Sequence, residues 1–363
     1  MNKNILFIID GLPGGGAERV VLTLAGEMAR RGENVTIASL QKRCDYEIPP
    51  GVDYLVVEDS YHGPLRRQTE IRRRARQLDA ALRRHYTGRT VDLAISNLPK
   101  TDRIVVACPF LTGAWICLHC AIEAGQLREK QGLKRWIKHR QLIRTYSGRK
   151  LITVCQALQN DVHACGIHPA AMETIYNPFD IEGIRRQSLE PCELEGQAFL
   201  LSVGRFNEQK RQDRLLKAFA RSQYPGKLVL LGNGDDHIRA QLAQLAEALD
   251  IGQRVIFAGF SSNPYAWMRA ADALVLSSDY EGFGNVLVEA LICGTPVVST
   301  RCPCGPEEIM TGTLEQGLSA LTPESLAEAI ERTVSSPPRI DEENLRRFSL
   351  DTAVDRYLAL ASR

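Results

Sequence analysis

The chain has 363 residues and a mass of 40.4 kDa, with 44% hydrophobic residues, 24% charged residues and a formal net charge of +2. At roughly 100–200 residues per domain this length suits two domains, and the composition excludes a collagen-like chain, a disordered tail and a disulfide miniprotein. No apolar run approaches the roughly 20 residues that span a bilayer, and residues 5–9 are too short for a signal-peptide core, so a cytoplasmic protein with ten free cysteines is expected.

The charge is uneven along the chain. Residues 1–180 hold 26 Lys and Arg against 18 Asp and Glu, whereas residues 181–363 hold 19 against 25. A basic half suits an anionic headgroup or a phosphorylated acceptor, and it equally suits a plain solvated surface.

Residues 4–9 (NILFII) read as a buried parallel strand. Gly11 and the run Gly14–Gly15–Gly16 follow, then a helix in which Val20, Leu24, Ala25 and Met28 share one face and Gly32 supplies the stop. Residues 34–40 complete a βαβ unit. The pattern then predicts an arginine-rich helix over 65–86, strands at 91–96, 103–107 and 113–118, a basic helix near 133–146 and a strand at 150–155. Residues 182–197 read as a polar linker. Beyond it, strands are predicted at 198–203, 227–231, 254–258, 273–276 and 296–299. Helices fit at 210–222, 236–249, 264–270, 285–293 and 323–334, with a last one at 348–362. Each half is thus an alternating α/β domain with a parallel sheet.

Three motifs carry chemistry. Gly14–Gly16 lets backbone amides approach a phosphate at a helix start, or simply makes a tight turn. It fits neither the dinucleotide fingerprint nor a P-loop. The segment Gly204-Arg205-Phe206-Asn207-Glu208-Gln209-Lys210 follows a strand, where open α/β sheets bind ligands. There Arg205 and Lys210 suit a diphosphate, although an isolated basic pair is more often a solvated loop. The sharpest motif is Glu281-Gly-Phe-Gly-Asn-Val-Leu-Val-Glu289. Its amides open a helix and two carboxylates flank them, suited to the hydroxyls of a ribose and a hexose. The following helix is apolar nearly all round, so Glu289 is expected to be buried and to need a partner.

This ordered set resembles family 4 of the retaining glycosyltransferases, above all members that build lipopolysaccharide or lipid-linked oligosaccharides. The opening DGLPGGGAERVVLTLA, IYNPFD at 175–180 and PVVSTRCPCGPEEI at 296–309 add to the likeness, which covers almost the whole chain. The resemblance implies a GT-B fold: two Rossmann-like domains with parallel sheets facing a central cleft. Residues 1–181 would form the acceptor-binding domain and 196–345 the nucleotide-sugar domain, with 346–363 packing back on the first. It implies that Glu289 holds the donor ribose, that Glu281 meets the transferred sugar, and that Arg205 and Lys210 hold the diphosphate. The amides of Phe283, Gly284 and Asn285 would touch sugar or phosphate, and Gly15 and Gly16 would approach the phosphates. His119, in WICLHC, matches a histidine that follows a late strand of the first domain and joins the catalytic group with Glu281, Arg205 and Lys210.

The expected activity is transfer of a hexose or N-acetylhexosamine from a UDP-sugar to a lipopolysaccharide or lipid-linked glycan. No metal and no further cofactor are expected, because no Asp-x-Asp follows a strand and Cys117-x-x-Cys120 has no second pair. Two alternatives stand beside it: a GT-B UDP-sugar epimerase, and a non-catalytic partner in a glycan assembly complex. The basic segments 65–86 and 127–146 suit docking on the inner face of the cytoplasmic membrane, with a solvated face as the plain alternative. Nucleic acid is not an expected partner, since no binding motif accompanies the charge.

Overall fold

The computed structural model describes residues 2–13 and 15–362. The chain divides into two compact units, residues 1–178 with 348–363, and residues 179–347.

Unit 1 is built on a seven-stranded, all-parallel sheet. Its strands are β1 (Asn4–Ile9), β2 (Asn34–Ser39), β3 (Val52–Val56), β4 (Leu93–Asn97), β5 (Trp115–Leu118), β6 (Lys150–Thr153) and β7 (Ala171–Thr174), in the order β3-β2-β1-β4-β5-β6-β7. β1 lies at the reversal of strand order. Its Ile5 pairs with Val35 on one side and Leu93 on the other, and Ile5 to Ile9 are fully buried. That burial on both faces explains the unbroken apolar run. The helices are α1 (Gly16–Arg30), α2 (Arg66–His85), α3 (Pro99–Val106), α4 (Gly132–Tyr146) and α5 (Gln156–Ala164), with a short π-helical turn at Glu123–Leu127.

Two sequence expectations are corrected here. Residues 103–107 are not a strand but the end of α3, which Pro99 opens at its first turn. A short apolar run does not distinguish a strand from a buried helix, and parallel β4 and β5 require a crossover between them. β3, α5 and β7 were not expected from the pattern; β3 and β7 are half-buried to exposed edge strands with little apolar signal. The arginines of α2 are mostly on the exposed side, as the helix stripe implies, with Arg74 an exception. Arg74 is buried, donates to the Leu40 carbonyl and lies 3.5 Å from Asp10.

Unit 2 opens where a linker was expected. Residues Ile181–Ser188 form α6, capped by the Asp180 carboxylate accepting from the Gly183 amide at 2.9 Å, with Ile184 buried. An N-cap aspartate and one apolar turn were too little signal in a polar stretch. The unit's strands are β8 (Phe199–Val203), β9 (Lys227–Leu231), β10 (Val255–Gly259), β11 (Ala273–Leu276), β12 (Val297–Thr300) and β13 (Leu318–Ser319), ordered β10-β9-β8-β11-β12-β13 and parallel throughout. β8 is the reversal point. α7 (Gln212–Arg221) and α12 (Pro323–Ser335) pack on one face through Leu215, Phe219, Leu326 and Ile330.

The chain ends with α14 (Leu350–Leu360), which belongs to unit 1. Buried Tyr357 sets its hydroxyl 3.6 Å from the Cys117 thiol of β5, Lys3 donates to the Leu358 carbonyl at 2.9 Å, and Arg31 at the end of α1 pairs with Asp351 and Asp355. Packing outweighs the exposed ion pairs in this contact. Truncating a buried aromatic costs about 3–5 kcal/mol, whereas exposed pairs contribute about 0–1 kcal/mol. Thermal unfolding should therefore show a large loss for Tyr357→Ala and a small one for Asp351→Ala combined with Asp355→Ala, which leaves the Arg31 pair with buried Glu27 in place; the reverse order would place the exposed ion pairs in control.

Candidate active site

In unit 2 the loops that leave β8 and β11 meet at the carboxyl edge of the sheet. The β8 loop ends in a single 3-10 turn, Glu208–Lys210, capped by the Asn207 carboxamide, which accepts from the Lys210 amide at 3.1 Å. The β11 loop carries Ser277 to Gly284. Four bonds join the two loops: Lys210 Nζ to Glu281 Oε1 at 2.7 Å, Ser277 Oγ to the Lys210 carbonyl at 2.8 Å, the Asp279 amide to the Gln209 carbonyl at 2.9 Å, and Gln209 Nε2 to the Tyr280 carbonyl at 2.8 Å. Glu281 is buried and also accepts from Ser278 Oγ at 2.6 Å. A buried carboxylate without such donors would be strongly disfavoured.

A second ionic group lies beneath. Arg211, in left-handed conformation at φ 49°, and buried Arg214 both pair with Asp279. Burial pushes the Asp279 carboxyl up, but the two guanidiniums hold it below the usual carboxylate range. Arg214 also donates to the Ser277 carbonyl at 2.7 Å. Sequence reading missed Ser278, Asp279, Arg211 and Arg214. The charges of SSDYEGFG and KRQDR were visible, but nothing in either segment shows that they face one another.

α10 (Asn285–Ile292) starts directly after this loop. Gly284 caps it at φ 94°, a left-handed conformation that glycine adopts without strain. Glu289 is buried on this helix, as its apolar surroundings required. Burial and the Glu289 charge push the Cys293 thiol up to about 12; burial and the Glu281 charge do the same to Cys302. Both cysteines are therefore neutral thiols beside the two carboxylates. The β12 loop supports the site from behind. The Glu281 amide donates to the Pro303 carbonyl at 3.2 Å, and a Cβ on Gly305, at φ 101°, would lie 1.8 Å from the Phe283 carbonyl oxygen. Arg205 is exposed and its side chain makes no ion pair among the described residues, which leaves its guanidinium open to an anion.

Unit 1 carries the remaining expected residues. Gly15 caps α1, and a Cβ there would lie 2.3 Å from the Glu18 carboxylate, which folds back over the helix start. Gly15 and Gly16 thus border an acid in the free protein rather than an empty anion seat. Gly14 lies outside the described residues. His119 follows β5, and its Nε2 is 2.9 Å from Asn97 Oδ1 at the end of β4. Asn97 turns its amide nitrogen toward the Ile8 and Ile95 carbonyls, so its oxygen accepts, the imidazole carries its proton on Nε2, and Nδ1 is an acceptor. Burial pushes the His119 pKa down to about 4. Its neutral form is what the site presents. Asn97 was missed by sequence reading, since its role exists only through the β4–β5 pairing.

No group of three or more His, Cys, Asp or Glu among the described residues is arranged to hold a metal. Cys117 is buried against Tyr357, and burial raises its thiol to about 12.

Two parallel sheets, each with a strand-order reversal at its first strand, define the GT-B class. The protein shares this fold with the Anabaena protein HepE, solved with UDP and glucose, at a TM-score of 0.80 and 20% identity over 99% of this chain and 100% of that one. Residues 14–182 match the model of glycosyltransferase family 4 and residues 184–349 that of group 1 glycosyl transferases, and the chain belongs to this family. It is 29% identical over 312 residues, 85% of this chain and 83% of the relative, to N-acetylgalactosamine-N,N'-diacetylbacillosaminyl-diphospho-undecaprenol 4-alpha-N-acetylgalactosaminyltransferase of Campylobacter jejuni. It is 38% identical over 171 residues, 44% of this chain and 48% of the relative, to the lipopolysaccharide core biosynthesis glycosyltransferase LpsE of Rhizobium meliloti.

Two outcomes test this geometry. Gly305→Ala should cost about 2–4 kcal/mol through its forbidden contact and strained φ, read as a lowered unfolding midpoint; an unchanged midpoint would refute the close packing of the two loops. The His119 ring should show no titration above about pH 5 by NMR. Because its folded pKa lies below the unfolded value near 6.5, its contribution to stability is complete above pH 6.5 and is lost as pH falls toward 4.

Proposed function

We propose that the protein transfers a hexose or N-acetylhexosamine from a UDP-sugar to a lipopolysaccharide or lipid-linked glycan acceptor, with retention of anomeric configuration and without a metal. The observation that carries this reading is the Lys210–Glu281 pair at the start of α10, with Arg205 beside it on the same loop. The names of the Campylobacter and Rhizobium relatives support the acceptor class, and the UDP and glucose of the Anabaena structure support the donor.

The chemistry follows from the charges. The leaving group is a nucleoside diphosphate, whose negative charge grows as the glycosidic bond breaks. Lys210 and Arg205 are the cations placed to stabilise it, and fixed charges of this kind act without reorganisation during the step. When the diphosphate takes Lys210, Glu281 is released to accept hydrogen bonds from sugar hydroxyls. The amides of Phe283, Gly284 and Asn285 then donate to sugar or phosphate at the α10 start, and Glu289 holds the ribose. In unit 1, the Gly15 and Gly16 amides meet phosphate once the Glu18 carboxylate has swung aside, and His119 accepts a hydroxyl hydrogen at Nδ1. With its low pKa, His119 acts by contact and not as a general base near neutrality.

Removing a stabilising donor of this type lowers kcat about 10²–10³-fold. Lys210→Ala and Arg205→Ala should therefore lower kcat, with KM for the donor changing less, in a UDP-sugar transfer assay containing EDTA. NMR of the first-formed product should show the donor's anomeric configuration. An inverted product would exclude retention, product formed without acceptor would favour the epimerase, and wild-type kinetics in both variants would remove these cations from the mechanism.

A further inference from the structure

Asp102, on the first turn of α3, is 1% exposed and is the most deeply buried carboxylate among the described residues. Its two oxygens accept only from hydroxyls. Oδ1 takes the Ser96 Oγ of β4 at 2.7 Å, and Oδ2 takes the hydroxyl of Tyr146, the last residue of α4, at 3.0 Å. No cation pairs with it among the described residues, whereas buried Glu27 and Glu281 each have one. Burial pushes its carboxyl up to about 7, with the two hydroxyls opposing. A buried acid in such a setting is seldom a gain in stability over an apolar side chain of similar size. Its presence calls for a use other than packing.

The use lies in the turn that Asp102 closes. Ser96 precedes Asn97, whose Oδ1 accepts from His119 Nε2 at 2.9 Å. Asn97 precedes Leu98, which is held at φ 78° and ψ 140°. A residue with a Cβ rarely adopts a positive φ, and Pro99, which follows, restricts Leu98 further. Such a conformation persists only where the surrounding structure over-determines it. Asp102 grips it from both sides. Its carboxylate holds Ser96 ahead of Leu98, and its amide donates to the Leu98 carbonyl at 3.0 Å. Tyr146 fixes the second carboxylate oxygen to α4. Asn97 therefore sits inside a closed turn, between the two ties. The Asp102 charge is not what reaches the imidazole, because burial is what lowers the His119 pKa. The coupling is one of position.

We propose that Asp102 is a positioning residue for His119: its carboxylate clamps the β4 exit through Ser96, holds Leu98 in its strained conformation, and so keeps Asn97 set against the imidazole. The consequence for transfer rests on the role proposed for His119 above. The consequence for the ring does not.

The test is NMR of the His119 ring nitrogens, assigned by their loss in His119→Gln. In the wild type the tautomer protonated at Nε2 should dominate. Ser96→Ala and Asp102→Ala should each lower its ratio to the other tautomer about tenfold, the size of about one buried hydrogen bond. Both should lower kcat at least about tenfold in the UDP-sugar transfer assay, with donor KM changing less, as misplacement of a contact group does. Asp102→Asn keeps an oxygen for Ser96 and turns its amide to the Tyr146 hydroxyl, which can accept, so it should restore the wild-type ratio. Tyr146→Phe leaves the Ser96 tie intact and should lower the thermal unfolding midpoint without moving the ratio. Should Asp102→Ala not fold, Ser96→Ala decides alone. The ring readout needs neither donor nor turnover, so failure of the proposed transfer and failure of this inference are distinguishable. The inference is overturned if Ser96→Ala keeps the wild-type ratio, if Asp102→Asn loses it as Asp102→Ala does, or if Tyr146→Phe shifts it as far as Ser96→Ala.

Discussion

The ion pair between Lys210 and Glu281 is the contact on which the candidate site depends. It exists because β8 and β11 are parallel neighbours, so both loops emerge at the same edge of the sheet. Open α/β sheets bind ligands at such a reversal of strand order. The pair is costly to isolate in either direction, since each ion loses water and each needs the other. Ser278 completes the carboxylate, and three further loop-to-loop bonds fix its position. The free protein therefore holds its cation and carboxylate in mutual satisfaction, and an anion drawn to Lys210 would have to substitute for Glu281 rather than fill an unpaired site.

The loops around that pair are ordered by close backbone approach more than by side chains. Gly232 and Gly305 each bring one strand's exit loop against the next: a Cβ would lie 2.1 Å from the Gly204 carbonyl oxygen in the first case and 1.8 Å from that of Phe283 in the second. Glycine at such positions allows the β8, β9, β11 and β12 exits to form one layered edge. Unit 1 achieves order differently, through polar side chains at strand ends. Asn97 sets the tautomer of His119 there, and burial keeps the ring neutral.

Much of this was legible in the sequence, and the reasons are physical. Apolar runs such as NILFII and KLVLL are continuous because both sheet faces are covered, and glycine punctuates the strand ends, so the alternating α/β plan could be read directly. The burial of Glu289 followed from the apolar residues on every side of it. What stayed hidden was of two kinds. Elements with weak apolar signal, β3, β7 and α6, are stabilised by pairing and capping and not by a buried stripe of their own. Partnerships across the fold, Lys210 with Glu281, Asn97 with His119 and Arg214 with Asp279, depend on strand order, which local spacing does not encode.

The central claim is that unit 2 binds the nucleotide of a sugar donor around α10. Isothermal calorimetry with UDP, in EDTA, on the wild-type protein and on Glu289→Ala tests it most directly. The account predicts that UDP binds the wild type and that the variant, with an unchanged unfolding midpoint, binds at least about tenfold more weakly, as expected for loss of a charged hydrogen-bonding partner. Equal affinity in the two folded proteins, or no nucleotide binding to the wild type, would contradict it.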